Sequence, residues 1–101
     1  MSGRSSLDRR AVRNLREIHR FISRDSQWSA EATVERVQSA VWRLEPFPLS
    51  GRGVPEFGTP YREILVNPYR VIYRYDQEHD AVIVLNVVHG SRRLPPSLEE
   101  P

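Results

Sequence analysis

Residues 61–90, YREILVNPYRVIYRYDQEHDAVIVLNVVHG, hold three apolar runs separated by two polar joints. β-Branched and aromatic side chains dominate residues 61–66, 69–76 and 81–89, a composition that predicts three strands. The joints, Asn67-Pro68 and residues 77–80, supply turn chemistry, so the segment reads as an antiparallel meander. Residues 81–89, AVIVLNVVH, are apolar on both faces and are expected to form a central strand.

The turns set the register. If Asn67-Pro68 is a two-residue turn and Asp76 faces Ala81, one sheet face gathers Ile64, Val66, Tyr69, Val71, Tyr73, Val82, Val84 and Val88. That face suits packing under helices. The other gathers Glu63, Arg70, Arg74 and His89 among Leu65, Ile72, Leu85 and Val87. Arg70 then opposes Val87, and His89 becomes its diagonal neighbour at roughly 7–8 Å between side-chain roots. A slip of one residue would flip either strand.

Upstream, residues 7–24 place Ala11, Leu15, Ile18 and Ile22 on one narrow face at helical period, with Val12 and Phe21 at its margins. Arg9, Arg13, Arg16, Arg20 and Arg24 repeat at the same period and form a stripe opposite the apolar face. Such a stripe reads either as a solvated outer surface or, because its charges repel one another, as a seat for an anionic partner. Residues 25–29 carry capping chemistry, and Val34, Val37, Val41 and Leu44 mark a second amphipathic helix ending before Pro46. The short joint predicts an antiparallel helical hairpin, with Trp28 and Trp42 as packing residues. Pro46, Pro48, Gly51, Gly53 and Pro55 punctuate a loop that exposes Arg52 and Glu56.

The chain of 101 residues fits one domain, 1–101, with flexible ends expected at about 1–6 and 94–101. Hydrophobic residues at 39% and charged residues at 28% exclude a disordered polyelectrolyte. The absence of cysteine removes disulfides, thiolate catalysis and the common zinc-finger spacings, and agrees with a reducing compartment. No apolar run approaches the roughly 18 residues of a membrane span, so a cytoplasmic location is expected. All 15 basic residues are arginine. The guanidinium fork suits phosphate or carboxylate partners, and a compositional bias of the source genome would give the same count.

Arg70, His89 and Glu56 are the parts of metal-free RNA cleavage: a cation for the phosphorane, an acid for the leaving oxygen, and a base for the 2′-hydroxyl. Spacing alone favours the plainer reading of the same residues, an ion pair of Arg70 with Glu63 or Glu56 beside a strand-end histidine bonded to backbone.

The order and spacing of AVRNLREIHRFI, FPLSGRGVPE, YREI, YRVIYR and VIVLNVVHGSR resemble the RelE/ParE superfamily of type II toxin–antitoxin toxins. The resemblance runs over residues 7–93. It implies an α+β fold, an N-terminal helical hairpin on a small, mostly antiparallel sheet, with a short first strand before the helices. It also implies a cognate antitoxin, for which Arg9, Arg13, Arg16, Arg20 and Arg24 are candidate contacts. RelE-like members cleave messenger RNA in the ribosomal A site, and ParE-like members poison DNA gyrase without catalysis. The leading expectation is therefore a ribosome-dependent endoribonuclease with Glu56, Arg70 and His89 as catalytic residues. Arg62, Arg74, Arg92 and Arg93 would then bind phosphate or RNA. The alternatives are a non-enzymatic gyrase inhibitor and an inactive binding module, and no metal or cofactor is expected under any of the three. Two departures stand against the nuclease. Other nuclease members rely on lysines, absent here, and many stack a base on a late aromatic residue, whereas none follows Tyr75.

Overall fold

A computed structural model describes residues 3–100; Met1, Ser2 and Pro101, which fall in the ends expected to be flexible, lie outside the described residues. The elements run β1 (Arg4–Leu7), α1 (Arg9–Ser23), α2 (Gln27–Trp42), β2 (Arg52–Gly53), β3 (Tyr61–Val66), β4 (Tyr69–Asp76) and β5 (Ala81–His89). The strands form one sheet in the order β1-β5-β4-β3-β2. β1 pairs parallel to β5, and the other neighbours are antiparallel, which gives the expected α+β class.

Both helices start on capping side chains. The Asp8 carboxylate accepts from the Ala11 amide, and the Ser26 hydroxyl oxygen accepts from the Ser29 amide, each at 3.1 Å. The second helix thus begins one residue after Ser26, and residues 24–26 close the hairpin. Ala11, Val37, Val41 and Leu44 are buried, and Leu15 and Ile18 pack beside them. Trp28 and Trp42 are not packing residues: they are 80% and 55% exposed. Trp28 stands in solvent and Trp42 borders a cleft with Ser5, Ser6 and Leu7, and the apolar stripe closes without them.

Val66 pairs with Tyr69 and Asp76 with Ala81, so both turns hold the expected register. The departure comes inside β5. Ile72 faces Asn86 but Tyr73 faces Val84, a β-bulge that leaves Leu85 as the extra residue. Leu85 and Asn86 both turn to the side away from the helices. Leu85 packs with Ile72, and the Asn86 amide donates to the Leu98 carbonyl at 3.0 Å. Beyond the bulge every residue changes face. Val87, not Val88, joins Val71 and Val84 under the helices, and Arg70 faces Val88 instead of Val87.

The side of the sheet away from the helices was expected to carry a bare polar patch. It carries that patch around Glu63 and Arg70, and beside it a second core built from Val54, Ile72, Leu85 and Leu98, with Phe57, Tyr61, Ile83, Val88 and Leu94 against it. The ends expected to be flexible are engaged in the fold. Residues 4–7 pair with β5 from Arg4↔Ala81 to Leu7↔Val84, and Leu98 is 1% exposed. Burying one leucine contributes about 2 kcal/mol, which offsets part of the cost of ordering the tail over an otherwise open apolar sheet face.

The loop before β2 is pinned to the sheet by polar contacts. The buried Tyr73 hydroxyl donates to the Pro48 carbonyl at 2.7 Å and accepts from the Gly51 amide at 2.9 Å. Arg62 donates to the carbonyls of Leu49 and Gly51 at 3.1 and 3.0 Å. No helix among the described residues is long and apolar enough to cross a membrane.

Candidate functional site

β3 and β4 bring Leu65 opposite Arg70 and Glu63 opposite Ile72, while β2 brings Arg52 opposite Glu63. Three charged side chains therefore share the sheet face away from the helices. Glu63 sits in the middle and is fully buried, a position a carboxylate holds only with cationic partners. Arg52 Nε donates to it at 2.9 Å, and Arg70 donates through Nε at 2.7 Å and Nη2 at 3.2 Å. Glu56, on the loop after β2, then closes the outer edge of Arg70. Its two oxygens accept from Nη1 and Nη2, both at 2.8 Å.

Arg70 is thus clamped between one buried and one half-exposed carboxylate. The hydrogen bonds from Arg70 hold the Glu56 carboxyl down to about 2, so it is ionised and only weakly basic at neutral pH. The two carboxylates raise the Arg70 guanidinium further above its already high range. A proton acceptor this weak, bound to a cation whose fork is filled, is poorly suited to take a proton from a hydroxyl.

His89 lies elsewhere. It faces Tyr69 across the sheet, with ring centroids 5.8 Å apart and planes at 84°, on the helix side. The expected pairing of Arg70 and His89 on one face does not occur, because the bulge at Leu85 moves β5 by one residue. The His89 Nδ1 accepts from the Ser91 amide at 3.1 Å, which leaves the ring proton on Nε2 in the neutral form. The imidazole borders a cleft of about 590 Å³ that is also lined by Asn14, Arg20, Phe21, Arg24, Tyr69 and Arg92.

The remaining arginines divide by task. Arg62 holds the loop at 49–51 through Nη1, and its Nε and Nη2 make no hydrogen bond among the described residues. Arg74 donates to Glu99 at 3.0 Å. Arg92 borders the His89 cleft, and Arg93 is exposed. Arg9, Arg13, Arg16, Arg20 and Arg24 are all exposed, as a stripe on the outer surface requires. Arg13 pairs with Glu100, and Arg24 stacks 5.8 Å above the Phe21 ring. Between the helices an apolar groove lined by Leu7, Val12, Leu15 and Val34 runs beside Arg16, His19 and Arg20.

Sequence reasoning offered Glu63 as an ion-pair partner of Arg70 but gave Arg52 no part in the site, and it did not foresee that Glu63 is buried between the two arginines. Their signal was a lone acid, Glu63, inside the apolar run YREILV, which can be buried only beside a cation.

A helical hairpin on a five-stranded mixed sheet is the fold of RelE/ParE toxins. The chain is similar to the structure of the RelBE2 toxin–antitoxin complex of Mycobacterium tuberculosis, at 23% identity and a TM-score of 0.62, over 88% of this chain and 99% of that one. It is similar to a chromosomal ParDE system of P. aeruginosa at 18% identity and a TM-score of 0.70, over 88% and 96% of the two chains. Residues 6–94 match the family of the ParE toxin of the type II toxin–antitoxin system parDE. The toxin Y4kP of Sinorhizobium fredii is 34% identical over 85% of this chain and 86% of its own length. The toxin ParE3 of Caulobacter vibrioides is 32% identical over 68% and 67%. The chain belongs to the ParE toxin family of type II toxin–antitoxin systems.

Proposed function

We propose that this toxin stops growth by binding DNA gyrase, as ParE-like proteins do, and not by cutting messenger RNA. The observation that carries the reading is the separation of Arg70 from His89. One is held between Glu56 and Glu63 on one sheet face, and the other stands beside Tyr69 on the opposite face. A single phosphate cannot be met by both, so the cation, base and acid needed for cleavage of one ribose-phosphate linkage are not gathered around it. The ParE family match supports the same reading.

A cognate antitoxin neutralises the toxin. Its segment combines an apolar face with acidic side chains, because the groove between α1 and α2 is apolar and is rimmed by Arg16 and Arg20. The exposed stripe from Arg9 to Arg24 extends the same positive potential along α1 and steers an acidic chain to it.

The test is induction of the full chain, and separately of His89→Gln, with replication, gyrase–DNA cleavage complexes and message ends followed in parallel. Trapped gyrase–DNA complexes from both proteins, with message ends unchanged, are expected. Cuts at ribosomal A sites that disappear in His89→Gln would return the function to RNA cleavage.

A further inference from the structure

Residues 94–100 lie across the sheet face away from the helices in an arrangement that resembles a bound peptide more than a strand or helix. Among the described residues, no backbone-to-backbone hydrogen bond ties them to the rest of the chain. Side chains of the body hold them instead. Leu98 drops between Val54, Ile72 and Leu85. The Asn86 amide, itself buried, donates to the Leu98 carbonyl at 3.0 Å. The Tyr61 hydroxyl and Arg74 Nε donate to the two Glu99 oxygens at 2.9 and 3.0 Å. Arg10 reaches the Ser97 carbonyl, and Arg13 pairs with Glu100.

The groove therefore reads four features in order: an apolar side chain, the carbonyl of that same residue, and a carboxylate at each of the next two positions. Its receptor side is complete without the tail, since Asn86, Tyr61, Arg74, Arg10 and Arg13 all belong to β3, β4, β5 or α1. The ion pairs that hold Glu99 and Glu100 are at the surface, with side chains 19–50% exposed, and such pairs are weak and screened by salt. Only Leu98 is fully buried. Two apolar anchors, Leu98 fully and Leu94 partly buried, flanked by weak polar contacts are the construction of an exchangeable peptide, not of a permanent element.

We propose that this groove is a docking site for an acidic segment of a partner protein in which a leucine is followed by two carboxylates, and that residues 94–100 are its exchangeable occupant in the free toxin. Charge complementarity selects that partner: the rim offers Arg10, Arg13 and Arg74, and the tail that fills the groove carries the matching Leu98-Glu99-Glu100. The apolar floor of the groove is on the opposite side of the sheet from the helical hairpin while its Arg10 and Arg13 rim belongs to α1, so an occupant there leaves the apolar groove between α1 and α2 open and shares only the arginine stripe, through Arg13. The proposal stands whether the toxin acts on gyrase or on RNA.

The probe is a labelled peptide with the sequence of residues 94–100, LPPSLEE, titrated by fluorescence anisotropy into the full chain and into the full-chain variant Leu98→Asp. In the parent the groove is open only for a fraction of the time, and the apparent affinity falls by that fraction. The peptide is therefore expected to bind Leu98→Asp about tenfold or more tightly than the parent. Replacing the peptide's leucine by aspartate is expected to abolish binding, and adding Arg74→Glu to the variant or raising the salt to weaken it. A folded Leu98→Asp chain that ignores the peptide at about 1 mM, an affinity floor for a specific contact, would overturn the proposal. So would a parent dimer that Leu98→Asp dissolves, since that would assign the groove to a second copy. Should Leu98→Asp fail to fold, hydrogen exchange of the Asn86 side-chain amide in the parent decides. Exchange through a local opening with little denaturant dependence supports a releasable tail, and exchange only through global unfolding overturns it.

Discussion

The side-chain carbonyl of Asn14 on α1 accepts a hydrogen bond from the backbone amide of Val87 at 3.0 Å. β1 pairs with β5 only as far as Val84, so the Val87 amide has no partner from β1, and a buried amide without a partner costs about 1–3 kcal/mol. Asn14 thus satisfies the β5 backbone beyond the end of β1. Asn14→Leu is expected to lower stability by about 1–3 kcal/mol, read as a fall in the urea midpoint at unchanged slope. A neutral result would mean that water or a shifted register satisfies the Val87 amide.

Gly51 is held against the Tyr73 ring. A Cβ there would lie 2.6 Å from the Tyr73 hydroxyl oxygen and 2.7 Å from ring carbon Cε1. Gly51→Ala is expected to cost about 1–3 kcal/mol by overpacking. Because the ring carbon clashes as well as the hydroxyl, Tyr73→Phe should not rescue it. Thermal denaturation of both single variants and the double variant checks this; a rescued double variant would show that the oxygen alone was the obstacle.

Which parts of the fold were legible can be traced to single residues. Asn67-Pro68 and the loop at 77–80 are local signals, and local chemistry was enough to set Val66 opposite Tyr69 and Asp76 opposite Ala81. The bulge was not read, because VIVLNVV offers valine to either face in either register. Asn86 was the residue that could have revealed it. Strict alternation from Val82 and Val84 would send Asn86 under the helices, where an unpartnered amide is expensive, and the bulge turns it to the Leu98 carbonyl instead. The placement of Leu98 depends on a contact that joins distant parts of the chain, which no periodicity encodes. Those two features, the bulge and the folded tail, account for why Arg70 and His89 part and why apolar residues cover much of the face away from the helices.

Glu63 and Glu56 bind the same guanidinium from opposite sides, one buried and one half-exposed, and their removal should differ accordingly. Glu63→Gln leaves Arg52 and Arg70 without their buried partner and is expected to cost about 3–5 kcal/mol. Glu56→Gln removes a pair open to solvent and is expected to cost no more than about 1 kcal/mol. The folded-state value of Glu56 is depressed from 4.5 to about 2, so its contribution is present above the unfolded value and is lost as pH falls through that window. The stability gap between the parent and Glu56→Gln should therefore shrink on going from neutral pH to about 2. Urea titrations of both proteins across that range measure it, and a gap that widens in acid would contradict the ion pair.

Arg16 and Arg20 are exposed on α1 beside the apolar groove between the helices, and neither takes part in an ion pair among the described residues. Reversing both to glutamate removes no folded-state contact of that kind and relieves some repulsion within the stripe, so the melting temperature is expected to hold. The effect should appear in association with the antitoxin. Charges at the rim of an interface act mainly on the rate of encounter, so the association rate constant is expected to fall about tenfold or more at low salt, with dissociation changed far less. The difference from the parent should narrow as salt rises, because the screening length contracts from about 30 Å at 0.01 M to about 8 Å at physiological strength. Surface-binding kinetics of toxin against antitoxin at several salt concentrations test this. A double reversal that leaves the association rate untouched would put the antitoxin on another face of the toxin, and one that unfolds the protein would place the arginines in its core.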